Sequence, residues 1–145
     1  MKHVEIWTDG SCDQTPGPGP GGWGAVLRYG KHIKKISGHV DKTTNNRMEL
    51  TAVIESLKAL TEIVDVIIIS DSQFIVDAIN KNWLNMWKEN NWWTKQDIPL
   101  KNADLWKEVY KLLGKYCVTM QWVKGHSGDK WNTIADELAR SRMLS

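Results

Sequence analysis

A chain of 145 residues with 41% hydrophobic and 25% charged side chains has the ordinary make-up of a soluble globular protein, with enough length for one cored domain. No apolar run approaches the ~20 residues that span a bilayer, and the N-terminus lacks the apolar stretch of a signal peptide, so a cytoplasmic, non-membrane protein is expected. A net charge of +2 neither proves nor forbids a nucleic-acid partner, and two distant cysteines, Cys12 and Cys117, offer no C-x-x-C zinc or redox motif.

The N-terminal "HVEIWTD" reads as a first strand, over about residues 3–9, that ends on Asp9. "TPGPGPGG" (15–22) combines proline, which removes backbone donors, with glycine, which permits positive φ, and is expected to be a stiff loop. Alternation of Ala25, Leu27 and Tyr29 against Val26 and Arg28, followed by the turn "YGK", gives two more strands over about 22–30 and 32–40. The period then changes. Leu50, Val53, Ile54, Leu57 and Leu60 follow helical spacing from about Arg47 to Leu60. "VDVIIISDS" is a β-branched run of the kind buried on both faces of a parallel sheet, and it ends in Asp71. A helix follows in "SQFIVDAINKN", and 81–101 is irregular, aromatic and partly basic. A helix over about Ala103–Leu113, a strand in "CVTMQW" and a last helix over about Thr133–Arg142 complete the order. The expected fold class is α/β, a five-stranded mixed sheet with helices on both faces.

Acids fall at informative places. Asp9 and Asp71 close two strands, and sites in α/β sheets are built at strand C-terminal ends. They become neighbours if those strands lie parallel and adjacent. Glu49 sits roughly 75° from the centre of its helix's apolar stripe, within reach of the sheet edge. Asp136 is expected in the first turn of the last helix, where an acid also suits the dipole. Singly, each has a structural explanation: turn residue, N-cap, solvated helix position or first-turn charge. Together, four carboxylates are stable only with compensating cations, and hard oxygen ligands in that number suit Mg²⁺ or Mn²⁺.

"TDGSC", "PGPGG", "TTNNRMEL", "DSQ", "WVKGHSG" and "DELA", in this order, resemble the bacterial, type 1 ribonuclease H family over about Val4 to Arg142. The resemblance implies the ribonuclease H-like fold, one catalytic domain over 1–145 with no separate hybrid-binding module before it, and an endonuclease that cuts the RNA strand of RNA–DNA hybrids. It implies two Mg²⁺ ions, with Mn²⁺ substituting, held by Asp9, Glu49, Asp71 and Asp136, and products ending in 5′-phosphate and 3′-hydroxyl. His126 would handle the proton at the leaving 3′ oxygen or assist product release. RNA-side contacts would come from Gly10, Ser11, Cys12, Asn45, Asn46, Met48 and Gln73. The DNA strand would meet Thr44, Arg47 and the aromatic protrusion of 81–101, with Trp83 and Trp87. Nothing in the sequence demands a second chain, so a monomer is expected.

Two departures stand out. The first loop reads "QTP", with Thr15 where the family has asparagine, and an added Gly-Pro lengthens it. The protrusion sets Lys81, Lys88, Lys95 and Lys101 against Glu89 and Asp97, a local charge of only +2, from which weaker and more salt-sensitive hybrid binding is expected. The rival readings are another nuclease on the same fold, such as a junction resolvase or transposase, and a non-catalytic hybrid-binding module.

Overall fold

The computed structural model describes residues 3–125 and 128–144. Its elements run β1 (His3–Cys12), β2 (Gly19–Tyr29), β3 (His32–Thr43), α1 (Asn45–Lys58), β4 (Asp65–Ser70), α2 (Gln73–Asn80), α3 (Trp83–Glu89), α4 (Ala103–Leu113), β5 (Cys117–Trp122) and α5 (Lys130–Met143). The sheet order is β3-β2-β1-β4-β5. β1, β2 and β3 form the antiparallel meander, whereas β4 lies parallel to both β1 and β5. The mixed five-stranded sheet expected from the sequence is therefore present.

Helices cover both faces, unequally. One face carries the main core, where Ile6, Val66 and Ile68 meet Leu50, Val53 and Leu57 of α1 and Trp106 of α4. The other face holds a small cluster of Trp7, Val26, Ile69 and Ala135 beneath α5. There α5 lies directly on strand backbone. A Cβ at Gly22 would fall 2.1 Å from the Ala139 carbonyl oxygen, and one at Gly24 would fall 2.7 Å from that of Ala135. Glycine at these two positions is what lets α5 bring the backbone of Ala135 and Ala139 so close to β2.

Several boundaries depart from the sequence expectation, each for a local reason. α1 starts at Asn45 because Thr44, in extended conformation, accepts a hydrogen bond from the Arg47 amide at 3.3 Å. α5 starts at Lys130, since the Asp129 carboxylate caps the Asn132 amide at 2.9 Å. Asp136 consequently lies in the second turn of α5, beyond the first turn where the dipole acts most strongly. The cap of α2 is Ser72 rather than Asp71, with its hydroxyl accepting from the Ile75 amide at 3.4 Å. β2 begins inside the glycine-proline segment, at Gly19. The stretch 81–101 is not wholly irregular, because Trp83–Glu89 forms α3, which anchors Leu84 and Trp87 in the core.

Candidate metal and active site

Parallel pairing of β1 with β4 runs from His3↔Asp65 to Trp7↔Ile69. Asp9 and Asp71 each lie two residues past the last of these pairs, so the two strands deliver their carboxylates to one edge. Glu49 arrives from α1. Its neighbours Met48 and Leu50 are buried, and the helix can approach β1 because residue 10 has no side chain: a Cβ at Gly10 would lie 2.5 Å from the Glu49 amide nitrogen. One oxygen from each of Asp9, Glu49 and Asp71 falls within 4.8 Å of the others. Gly125 closes the site on the far side, where a Cβ would stand 2.9 Å from Asp71 Oδ2.

In this cluster buried like charges crowd one another. Asp9 is only 4% exposed. Burial first, and the Asp71 charge second, push its carboxyl up to about 7, against a smaller opposing effect of the Gly10 amide, which donates to Oδ1 at 2.9 Å. Burial, with Asp9 and Asp71 beside it, raises Glu49 well above the ordinary carboxylate range. Glu49 Oε2 is fully buried and has no hydrogen-bond partner among the described residues. A buried carboxylate oxygen without a donor, in a set of hard oxygen ligands, is what a divalent cation fits.

Asp136, the fourth acid expected from the sequence, reaches Asp9 but is not one of the three whose oxygens all lie within 4.8 Å of one another. It lies close enough to Asp9 to push that carboxyl upward, but its Oδ2 is paired with Arg140 Nη2 at 3.0 Å. Arg140 was not singled out from the sequence, although "DELAR" spaces an acid and a base at i and i+4, the signature of a helical ion pair. His126 lies outside the described residues.

Of the expected RNA-side residues, Gly10 is in direct contact with the acids, and the others have partners of their own or are exposed. Gly10 touches Asp9, while the Ser11 hydroxyl faces Met143 Sδ at 3.5 Å. The Cys12 thiol donates toward the Thr43 and Gly19 carbonyls, at 3.3 and 3.5 Å. The Asn45 amide donates to Gln14 Oε1 at 2.8 Å, and Asn46 and Gln73 are exposed. Met48 is buried and serves the core.

On the side expected to meet DNA, two residues are committed elsewhere. The Arg47 guanidinium donates two bonds to Asp104, at 3.0 and 2.7 Å, and ties α1 to α4. Trp87 is 7% exposed and packs edge-on against Trp106 at 5.0 Å, so most of it is core, though it reaches the wall of the groove that Trp83 lines. Thr44 is the α1 cap. Trp83 remains half-buried on a groove of about 790 Å³ that Phe74, Met86 and Trp93 also line. Phe74 and Trp93 are exposed there, and the sequence reading had given Phe74 no part.

With this geometry established, comparison with known proteins is specific. The sequence model of the RNase H family matches residues 1–143. A ribonuclease H of Caldicellulosiruptor saccharolyticus is 51% identical over 142 residues, covering 97% of this chain and 96% of that protein. Among solved structures, LC9-RNase H1, described as a type 1 RNase H with the type 2 active-site motif, superposes with a TM-score of 0.85 at 28% identity, covering 99% of this chain and 73% of that one. LC11-RNase H1, solved in complex with an RNA/DNA hybrid, gives 0.72 at 21% identity, a likeness of fold, over 98% of this chain and 99% of that one. Family match, near-full-length identity and the three converging carboxylates lead to one conclusion: this chain belongs to the ribonuclease H family.

Proposed function

We propose that the chain is a cytoplasmic, monomeric, single-domain endoribonuclease that hydrolyses the RNA strand of RNA–DNA hybrids. The observation that carries this reading is the meeting of Asp9, Glu49 and Asp71 within 4.8 Å, with a buried, unpartnered Glu49 oxygen, in a chain of this family. Asp9, Glu49 and Asp71 would hold Mg²⁺, two ions in all with Mn²⁺ substituting, and Asp136 would complete the ligand set. When bound, such ions supply a water nucleophile at neutral pH and offset charge on the leaving oxygen.

The chain's own residues do the rest. The Gly10 amide fixes the Asp9 carboxylate through Oδ1. Burial of Glu49 Oε2 keeps bulk water from competing for that oxygen. His126, on the resemblance, manages the proton at the departing 3′ oxygen. On the resemblance, Gly10, Ser11, Cys12, Asn45, Asn46 and Gln73 would read the RNA 2′-hydroxyls, the group that separates RNA from DNA. Trp83, with Phe74 and Trp93, offers ring faces to the DNA strand.

The test is a gel assay of a labelled hybrid with Mg²⁺, with EDTA as control and with duplex DNA and a four-way junction as competing substrates. RNA-strand cleavage that EDTA abolishes is the expected result. Cleavage of the junction in preference, or hybrid binding without cut RNA, would replace this reading by one of its rivals.

A further inference from the structure

Asp136 and Arg140 lie one turn apart on α5, with the acid on the N-terminal side, the favoured order for such a pair. The pair is made within the helix and needs no other element. Its two members differ in environment: the Asp136 side chain is 18% exposed and the Arg140 side chain 59%. The carboxylate therefore faces the acid cluster on one side and a solvated guanidinium on the other. It is near enough to Asp9 to act on it, yet outside the trio of converging oxygens.

We propose that Arg140 is a positioning residue: it holds the Asp136 carboxylate at the margin of the acid cluster and thereby weakens the cluster's hold on divalent cations. The inference rests on the metal-holding reading given above. Without a cation, a fourth carboxylate turned fully inward would add like-charge repulsion to three that already crowd one another. The Arg140 ion pair removes that cost. When a cation enters, Asp136 has two competing partners, the guanidinium and the ion. A solvated ion pair is weak, so the exchange is easily made, but it must be made. The Arg140 charge also repels an incoming cation directly. Both effects have the same sign, so a neutral side chain at 140 leaves Asp136 free and the basin more negative. Arg140 is thus a non-ligand that sets the metal concentration at which the site fills.

The test measures metal binding without substrate. Mn²⁺ is titrated calorimetrically into the full chain and into Asp9→Asn, Arg140→Ala, Arg140→Lys, Asp136→Asn and the Asp136→Asn/Arg140→Ala double variant, at one pH and ionic strength. Arg140→Ala is expected to bind Mn²⁺ about 3–10-fold more tightly, the scale of one charge near a partly screened divalent ion. Arg140→Lys, which keeps the charge, should stay near the parent. In the Asp136→Asn background most of the Arg140→Ala gain should vanish, because the partner it releases is gone. Unchanged or weaker binding by Arg140→Ala, with the parent binding normally, overturns the proposal. A full gain persisting without the Asp136 carboxylate overturns it too, since Arg140 would then act only as bulk charge. If instead Asp9→Asn binds Mn²⁺ as the parent does, the metal-holding reading itself has failed.

Discussion

Asp9 shows how far one side chain can be set against the fold that holds it. Its carboxyl, ordinarily near 3.8, is raised to about 7 by burial and by Asp71. The sign follows from proton counting: between those values the folded chain binds more protons than the unfolded one, so stability falls as pH rises through that window and stays low above it. The gap sets a ceiling of about 4 kcal/mol, of which relaxation leaves about 1–2 kcal/mol recoverable. In EDTA, Asp9→Asn should therefore be more stable than the parent at pH 8 and nearly equal to it at pH 4, measured by urea unfolding at both pH values. With Mg²⁺ present, the same variant and Asp71→Asn should lose hybrid cleavage by about 10³-fold or more while retaining binding, as loss of a metal ligand demands. Normal turnover in either would refute the assignment of these acids. These residues were legible in the sequence because strand and helical phase are local properties, although β1 runs on past Asp9 to Cys12 and it is the pairing with β4 that stops short of Asp9. The intramolecular partners of Arg47 and Trp87, Asp104 and Trp106, were not legible, because they lie more than 15 positions away and only the packed helices bring them together.

Among the elements, α5 depends on close approach more than on apolar burial. Gly24→Ala would force Leu138 and the Ala135 carbonyl outward, and should cost about 1–3 kcal/mol in urea unfolding, as overpacking does. A second restraint lies at the helix's far end. His39 Nδ1 is 2.7 Å from the Arg142 carbonyl and Nε2 is 2.8 Å from Asp41 Oδ1. Both partners only accept, so both ring nitrogens must donate, and the Asp41 and Arg142 bonds raise the His39 imidazole above its ordinary 6.5. The contribution is full below that value and is lost as pH rises through the higher folded-state value. Amide exchange at residues 140–143, corrected for intrinsic rate, should accelerate across that titration in the parent and be fast throughout in His39→Ala. A flat profile in the parent would dismiss the clamp. The helix itself was evident from its sequence. Its true start was not, because Asp129 caps from within a polar loop that carries no periodic signal.

For the molecule as a whole, the mixed sheet and its two covered faces followed from the sequence, since a β-branched run such as "VIIIS" needs cover on each side, whereas the place of β5 beside β4 carried no local signal. The consequence drawn from the weakly basic protrusion needs revision in one respect. Fewer cations release fewer counterions, so hybrid affinity should be lower but also less steeply dependent on salt. The groove beside α3, lined by Phe74, Trp83 and Trp93, points the same way, since stacking on rings releases no counterions. A plot of log affinity against log salt for a catalytically inert variant should be shallow, and a steep slope would restore the cationic view. The unequal cores carry a last consequence. Peeling α5 from the sheet uncovers little more than the cluster around Trp7 and Val26, whereas α1 and α4 seal the bulk of the apolar interior. A partly opened species, intact except for its C-terminal helix, should therefore precede global unfolding. In that species β1, α1 and the end of β4 still present Asp9, Glu49 and Asp71, but Asp136 has left with its helix, so on the metal-holding reading proposed above cation binding and the seating of this fourteen-residue helix are coupled.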